Sequence, residues 1–288
     1  MDKLDHFLRR AEFLIDRVEA LLPPAASEPD WELASAFCWK KRGGRGYLHP
    51  VRHVVAIEFS DLHQIAIQLQ QIQQNTRQFM EGRPANNVLL TGARGTGKSS
   101  LIKACLNQYA AQGLRLIEVD KDDLSDLSEI VELIAGRPEK FIIFCDDLSF
   151  EEGERGYKAL KVALDGSIAT QAGNMLIYAT SNRRHLLPES HADNAGYQRS
   201  DEGDLHPGET VEEKISLSER FGLWLSFYPF KQDDYLDIVA HWLEKLGCNA
   251  AQIEAARPDA LRFALQRGSR SGRVANQFAR AYVGEHGN

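Results

Sequence analysis

The residues Gly92-Ala93-Arg94-Gly95-Thr96-Gly97-Lys98-Ser99 follow the spacing G-x-x-x-x-G-K-S without a gap. Glycines in this pattern let consecutive backbone N–H groups turn inward onto phosphate oxygens, where a side chain would clash. Lys98 brings a positive charge to the β and γ phosphates of a nucleoside triphosphate, and Ser99 offers a hydroxyl to magnesium. The helix that follows the loop points its positive end at the anion. Gly92, Ala93, Arg94, Gly95, Thr96, Gly97, Lys98, Ser99 and Ser100 are therefore the expected nucleotide contacts. A chance match in a chain of this length is expected on the order of 1%, given average residue usage. The setting also suits the chemistry, because an apolar run, Asn87 to Thr91, leads in and a helix from Ser99 to Ala111 leads out.

Asp146 and Asp147 close a second apolar run, Phe141-Ile142-Ile143-Phe144-Cys145. A carboxylate at the carboxyl end of a strand beside a phosphate loop is where magnesium needs an acid, and Asp146 is assigned that role, through water. Asp147 can orient or deprotonate an attacking water. Asn182 follows a third run, Met175 to Thr180, where its amide can hold that water against the γ-phosphate; an Asn in this position also serves as an ordinary turn residue.

The order of these features, followed by Ser218-Glu219-Arg220-Phe221 and a set of helices, resembles an AAA+ ATPase. Several stretches (85–90, 92–104, 146–150, 179–186 and 217–222) resemble a bacterial family of uncharacterised AAA+ proteins, DUF815, with the likeness spread over about residues 55 to 285. The resemblance implies ATP as the nucleotide and Mg2+ as its metal. It makes Lys98 and Ser99 the Walker A pair, Asp146 the Walker B acid and Asn182 sensor 1. Arg220 becomes an arginine finger acting on a neighbouring subunit, which implies an oligomer, at least a transient one. Arg273 becomes the sensor 2 arginine, with Arg270 as the alternative. Asp147 stands where most of these enzymes have Glu, as in the replication-initiator and helicase-loader branch, so hydrolysis is expected to be slow. Both arginines have the plainer alternative of a surface ion pair.

Strands alternating with helices from residue 87 onward predict an α/β fold, with a parallel sheet covered on both faces. Residues 4–22 carry an amphipathic helical pattern ended by Pro23-Pro24, and 40–46 read as a basic, Gly-rich turn. A further helix is expected between Asp61 and Met80. Residues 189–213 read as a polar surface insertion, and the tail as helices over about 233–246, 258–266 and 273–282. The expected organisation is a mostly helical N-terminal region (1–54), an AAA+ nucleotide-binding core (55–231) and a helical lid (232–288).

Among 288 residues the net charge is −7, so no global positive field argues for nucleic-acid binding. Local basic patches leave it open, and the 40–45 turn and the 189–213 insertion are the candidate partner surfaces. Cys38, Cys105, Cys145 and Cys248 lie too far apart in sequence for a metal or disulfide framework and read as isolated thiols. No signal-type segment or membrane-length apolar window is present, so a cytoplasmic protein is expected. A GTPase would need an N-K-x-D motif, which is missing, and no acceptor site for a small-molecule kinase is evident. Two readings remain: an ATPase that remodels or loads an unknown protein partner, and a nucleotide-dependent binding switch with negligible turnover.

Overall fold

The computed structural model describes residues 6–8, 10–13, 29–150, 154–165, 173–183, 186, 198–199, 205–206 and 217–286. Its centre is a seven-stranded sheet made of β1 (Ala36–Arg42), β2 (Arg45–Pro50), β3 (Val88–Gly92), β4 (Leu114–Glu118), β5 (Lys140–Cys145), β6 (Met175–Ser181) and β9 (Leu223–Phe227). The order across it is β2-β1-β4-β5-β6-β3-β9, parallel at every pairing except β1 with β2. The central strands are apolar along their whole length because both faces are covered. Val88 and Leu90 point to one layer and Leu89 to the other; Ile142 and Phe144 point to one, Phe141, Ile143 and Cys145 to the other.

The first layer contains α1 (Ala66–Met80) and α2 (Lys98–Tyr109), and the second α3 (Leu127–Ile134) and α4 (Arg155–Leu164). Three further helices, α5 (Gln232–Lys245), α6 (Ala250–Arg267) and α7 (Gly272–His286), follow the sheet and pack on the side of α1 and α2. Asn249 starts α6 by capping: its side chain accepts from the Gln252 N–H, and the Gln252 side chain accepts from the Asn249 N–H. The helix expected over 258–266 thus begins earlier, at Ala250, and Pro258 sits inside α6. Proline there removes one intrahelical donor without ending the helix.

Residues 36–50 correct the expectation of a mostly helical N-terminal region. They form a β-hairpin, β1 and β2, that extends the sheet beyond β4. Gly43 and Gly44 take φ of 60° and 79° at its turn, which is the chemistry of a two-residue hairpin loop. Trp39 lies flat on Gly46, where a Cβ would stand 1.8 Å from the indole, and its Nε1 donates to Asp126 at 3.0 Å. Phe37, Trp39 and Leu48 complete the second core layer. Residues 6–8 and 10–13 are helical, while most of the helix expected over 4–22 lies outside the described residues. So does most of the 189–213 insertion, of which β7 (Gln198–Arg199) and β8 (Leu205–His206) pair antiparallel. Cys105 and Cys145 are buried, and burial pushes both thiols up to about 12; all four cysteines are free. No described helix is long and apolar enough to cross a membrane.

Candidate functional site

The glycine-rich loop joins β3 to α2 at the carboxyl edge of the sheet. Gly92 has φ 123°, and a Cβ on it would stand 1.9 Å from the Phe227 carbonyl oxygen, so β9 presses directly on the loop. The Ala93 N–H donates to that same oxygen at 3.1 Å. Gly97, at φ 100°, caps α2 in the left-handed conformation and leaves the helix's first N–H groups open to an anion. Thr96 braces the loop from inside by donating its hydroxyl to Ala93 O at 2.8 Å. Ser100 is half-buried in the first turn of α2.

Lys98 is 6% exposed and folds back, donating to the carbonyls of Gly92 and Ala93 at 2.8 Å and to Asn182 Oδ1 at 3.0 Å. Burial pulls its pKa below the ordinary lysine value, and the carboxylates of Asp146 and Asp147 act against that shift. The Ser99 hydroxyl donates to Asp146 Oδ1 at 2.6 Å. Asn182 donates to Asp147 Oδ1 at 2.5 Å, and Arg94 lies 3.5 Å from Asp147 Oδ2. Gly92 to Ser99, Asp146, Asp147 and Asn182 therefore meet at one place.

Thr180 is a site residue that the sequence reading missed. Its hydroxyl donates to Asp146 Oδ1 at 2.6 Å and accepts from the Asp147 N–H at 2.9 Å. Asp147 has φ 51°, an uncommon conformation for a residue with a side chain, and the Thr180 contact helps hold it. The signal for Thr180 was a hydroxyl residue ending the apolar strand beside the one that carries the two acids.

Ser99 and Asp146 offer the hard oxygens that magnesium prefers, and they converge on one point. Among the described residues no group of three or more His, Cys, Asp or Glu could hold a metal on its own. These two oxygens fit a magnesium ion that would draw its other ligands from a bound phosphate chain and water.

The start of α7 docks on the loop. The Gly272 N–H donates to Gly95 O at 2.9 Å, and buried Ser271 sits so close that a Cβ on Gly95 would be 2.8 Å from its Cβ and Oγ. The same Cβ would be 3.6 Å from the Cβ of Arg273, which places that exposed arginine beside the loop. Arg270 is also exposed. Arg220 lies elsewhere. It pairs with Asp165, just beyond α4, and stands three residues before β9, whose Leu223 is in register with Val88. Because β9 and β3 are parallel, Arg220 is at the amino end of β3 while the loop leaves its carboxyl end. At about 3.3 Å per residue the strand separates them by roughly 13 Å or more.

Sheet order, loop and flanking helices define an AAA+ P-loop NTPase fold. Among similar solved structures is a Thermotoga maritima RuvB mutant, with TM-score 0.51 and 11% identity over 78% of this chain. This chain spans 64% of that RuvB chain. Another is the FIGL-1 AAA domain in complex with ADP, with TM-score 0.51 and 17% identity over 81% of this chain and 76% of that one. At these identities the likeness is one of fold. No curated protein sequence matches the chain. The model of the family "Protein of unknown function (DUF815)" matches residues 32–286, and the chain belongs to that family.

Proposed function

We propose that the chain binds ATP with magnesium at the Gly92–Ser99 loop and hydrolyses it slowly, moving its C-terminal helices to remodel or load a protein partner. The observation that supports this best is the convergence of Lys98, Ser99, Asp146 and Asn182 on the mouth of the loop. When ATP enters, Lys98 exchanges its contacts with Gly92 O and Ala93 O for phosphate oxygens, and the loop N–H groups close on the same anion. Ser99 and Asp146 would hold a magnesium ion, which would supply positive charge to neutralise the phosphates. Asn182 and Asp147 orient the attacking water, with Asp147 as its base.

Coupling to the lid rests on the bond from Gly272 N–H to Gly95 O. A phosphate chain in the loop changes what Gly95 can offer to α7, and Arg273 is near enough to respond to the new charge. Arg220 is too far along β3 to serve its own loop, so it would act on the nucleotide of a second copy.

A second reading, a binding switch with negligible turnover, is favoured by one observation: both oxygens of Asp147 are engaged, by Asn182 and by Arg94. Nucleotide-binding and ATPase assays across protein concentration separate the two. Turnover that rises with concentration and vanishes in Lys98→Ala supports hydrolysis; tight binding with no turnover at any concentration supports the switch. Loss of neither binding nor turnover in Lys98→Ala would overturn both.

A further inference from the structure

One face of the β1–β2 hairpin collects side chains that the nucleotide site does not use. Residues two apart along a strand share a face, and residues in register share it across the pair. Arg42 is in register with Arg45, Lys40 with Tyr47 and Cys38 with His49, so this face reads Lys40, Arg42, Arg45, Tyr47 and His49. The opposite face, with Phe37, Trp39 and Leu48, is buried in the core.

The charges on the two faces are treated differently. Lys41, on the core side, is held by Asp123 at 3.0 Å and Asp126 at 2.8 Å. Lys40, Arg42 and Arg45 are exposed, and among the described residues no carboxylate lies within ion-pair distance of them. Glu118 on β4 is in register with Cys38 at the inner end of this face, and Lys103 of α2 stands near the same thiol. Arg42 and Arg45 face each other directly across the strands, and like charges so placed destabilise a hairpin. The fold tolerates that repulsion at the tip of a chain whose net charge is −7. An anion between the two guanidinium groups would turn the repulsion into attraction.

We propose that this face binds single-stranded nucleic acid. A row of cations suits any polyanion; the aromatic rings decide among them. The Tyr47 and His49 rings lie edge to face with centroids 6.5 Å apart, among the cations and outside the core. A strand with unpaired bases uses both features, phosphates on Lys40, Arg42 and Arg45 and base faces on Tyr47 and His49. A lipid surface or an acidic peptide offers charge but no flat bases to stack. The inference is independent of the nucleotide reading, since none of these residues touches the loop.

The test is fluorescence anisotropy with a labelled oligo(dT) of roughly 20 nucleotides, without ATP, against wild type, an R42Q/R45Q variant and Tyr47→Ala. Wild type should bind at about 50 mM salt and weaken steeply by about 200 mM. R42Q/R45Q should lose affinity and flatten the dependence of log K on log salt by about 1.4, the share of two phosphate contacts on a single strand. Its melting temperature should hold or rise because the repulsion is relieved, which separates lost binding from lost folding. Tyr47→Ala should weaken binding by roughly 10-fold with the salt slope unchanged. The proposal is overturned if wild type does not bind the oligonucleotide, or if both variants bind as wild type does. It is equally overturned if a duplex of the same length binds better and Tyr47→Ala has no effect, or if only anionic vesicles of phosphatidylserine are bound.

Discussion

The hydroxyl of Thr180 and the carboxylate of Asp146 meet at 2.6 Å, and the same hydroxyl accepts the Asp147 N–H. One side chain on β6 thus positions both acids at the end of β5. Thr180 is 1% exposed, and replacing it with isosteric valine removes two part-buried hydrogen bonds, to Asp146 and from the Asp147 N–H, at about 1 kcal/mol each. Thr180→Val should lower ATP turnover by about 10- to 100-fold, in proportion to that displacement of the acids. Binding of nucleotide without magnesium should change little, because Lys98 and the loop are untouched. Thr180→Ser should restore turnover. Steady-state ATPase rates and fluorescent-nucleotide titrations check both statements.

The loop and the two acids were legible because their residues are contiguous and their chemistry is tied to spacing. Thr180 was not, because its role comes from the lateral pairing of β5 with β6, where Cys145 meets Ala179. Residues 40–46 read as a basic turn rather than as the tip of a hairpin because Lys40, Lys41 and Arg42 hide the alternation of Phe37 and Trp39. Gly43-Gly44 between two such runs is a hairpin signal that outweighs the charge. The contact of Gly95 with Ser271 joins residues far apart in the chain, and no local pattern encodes it.

That contact gives the second prediction. Gly95 has φ 73°, and a methyl group there would overlap Ser271. Gly95→Ala should push the amino end of α7 off the loop and break the bond from Gly272 N–H to Gly95 O. Amide exchange at residues 272–275 should quicken, by about 10-fold for each 1.4 kcal/mol of docking lost, while exchange in β5 stays slow. Unchanged exchange at those amides would show that the lid is not held by this contact.

The third prediction concerns pH. Asp61, His63, His241 and Lys245 join the segment before α1 to α5, with Lys245 2.5 Å and His241 3.4 Å from Asp61 Oδ1. The His63 and His241 rings are 4.1 Å apart, and His63 Nε2 is buried without a hydrogen-bond partner. Burial lowers the His63 pKa and the adjacent His241 adds to it, with Asp61 and Asp237 opposing. The unfolded chain therefore binds a proton at His63 more tightly than the native one, so stability rises with pH through this group. Its contribution is full above the unfolded value of about 6.5 and is lost as pH falls through the lower native value. Burial alone would raise Asp61, but Lys245, the Glu58 N–H and His241 bring its pKa below the ordinary aspartate value. Its contribution is lost in the same direction, but only in stronger acid. The melting temperature should fall between about pH 6.5 and 5, and less so in His63→Gln, a comparison that thermal scans at matched ionic strength make directly.

The last prediction follows from the parallel pairing of β3 and β9. Arg220 sits at the amino end of β9, held by Asp165, while its own loop lies at the other end of the same strands. If Arg220 serves the nucleotide of a second copy, Arg220→Ala should leave ATP affinity of the dilute protein unchanged and remove the rise of specific activity with concentration. The loss at high concentration should be about 10³-fold or more, the scale of a transition-state arginine. An arginine that merely steadies its own fold would instead lower the melting temperature and reduce turnover equally at every concentration. Mixing settles the direction of action. Lys98→Ala keeps Arg220 but cannot support turnover, and Arg220→Ala keeps an intact loop. Together they should recover activity that neither shows alone, since each interface of the right order then pairs one good loop with one good arginine. Failure of the mixture to recover activity, with both variants folded and able to associate, would remove Arg220 from the reaction.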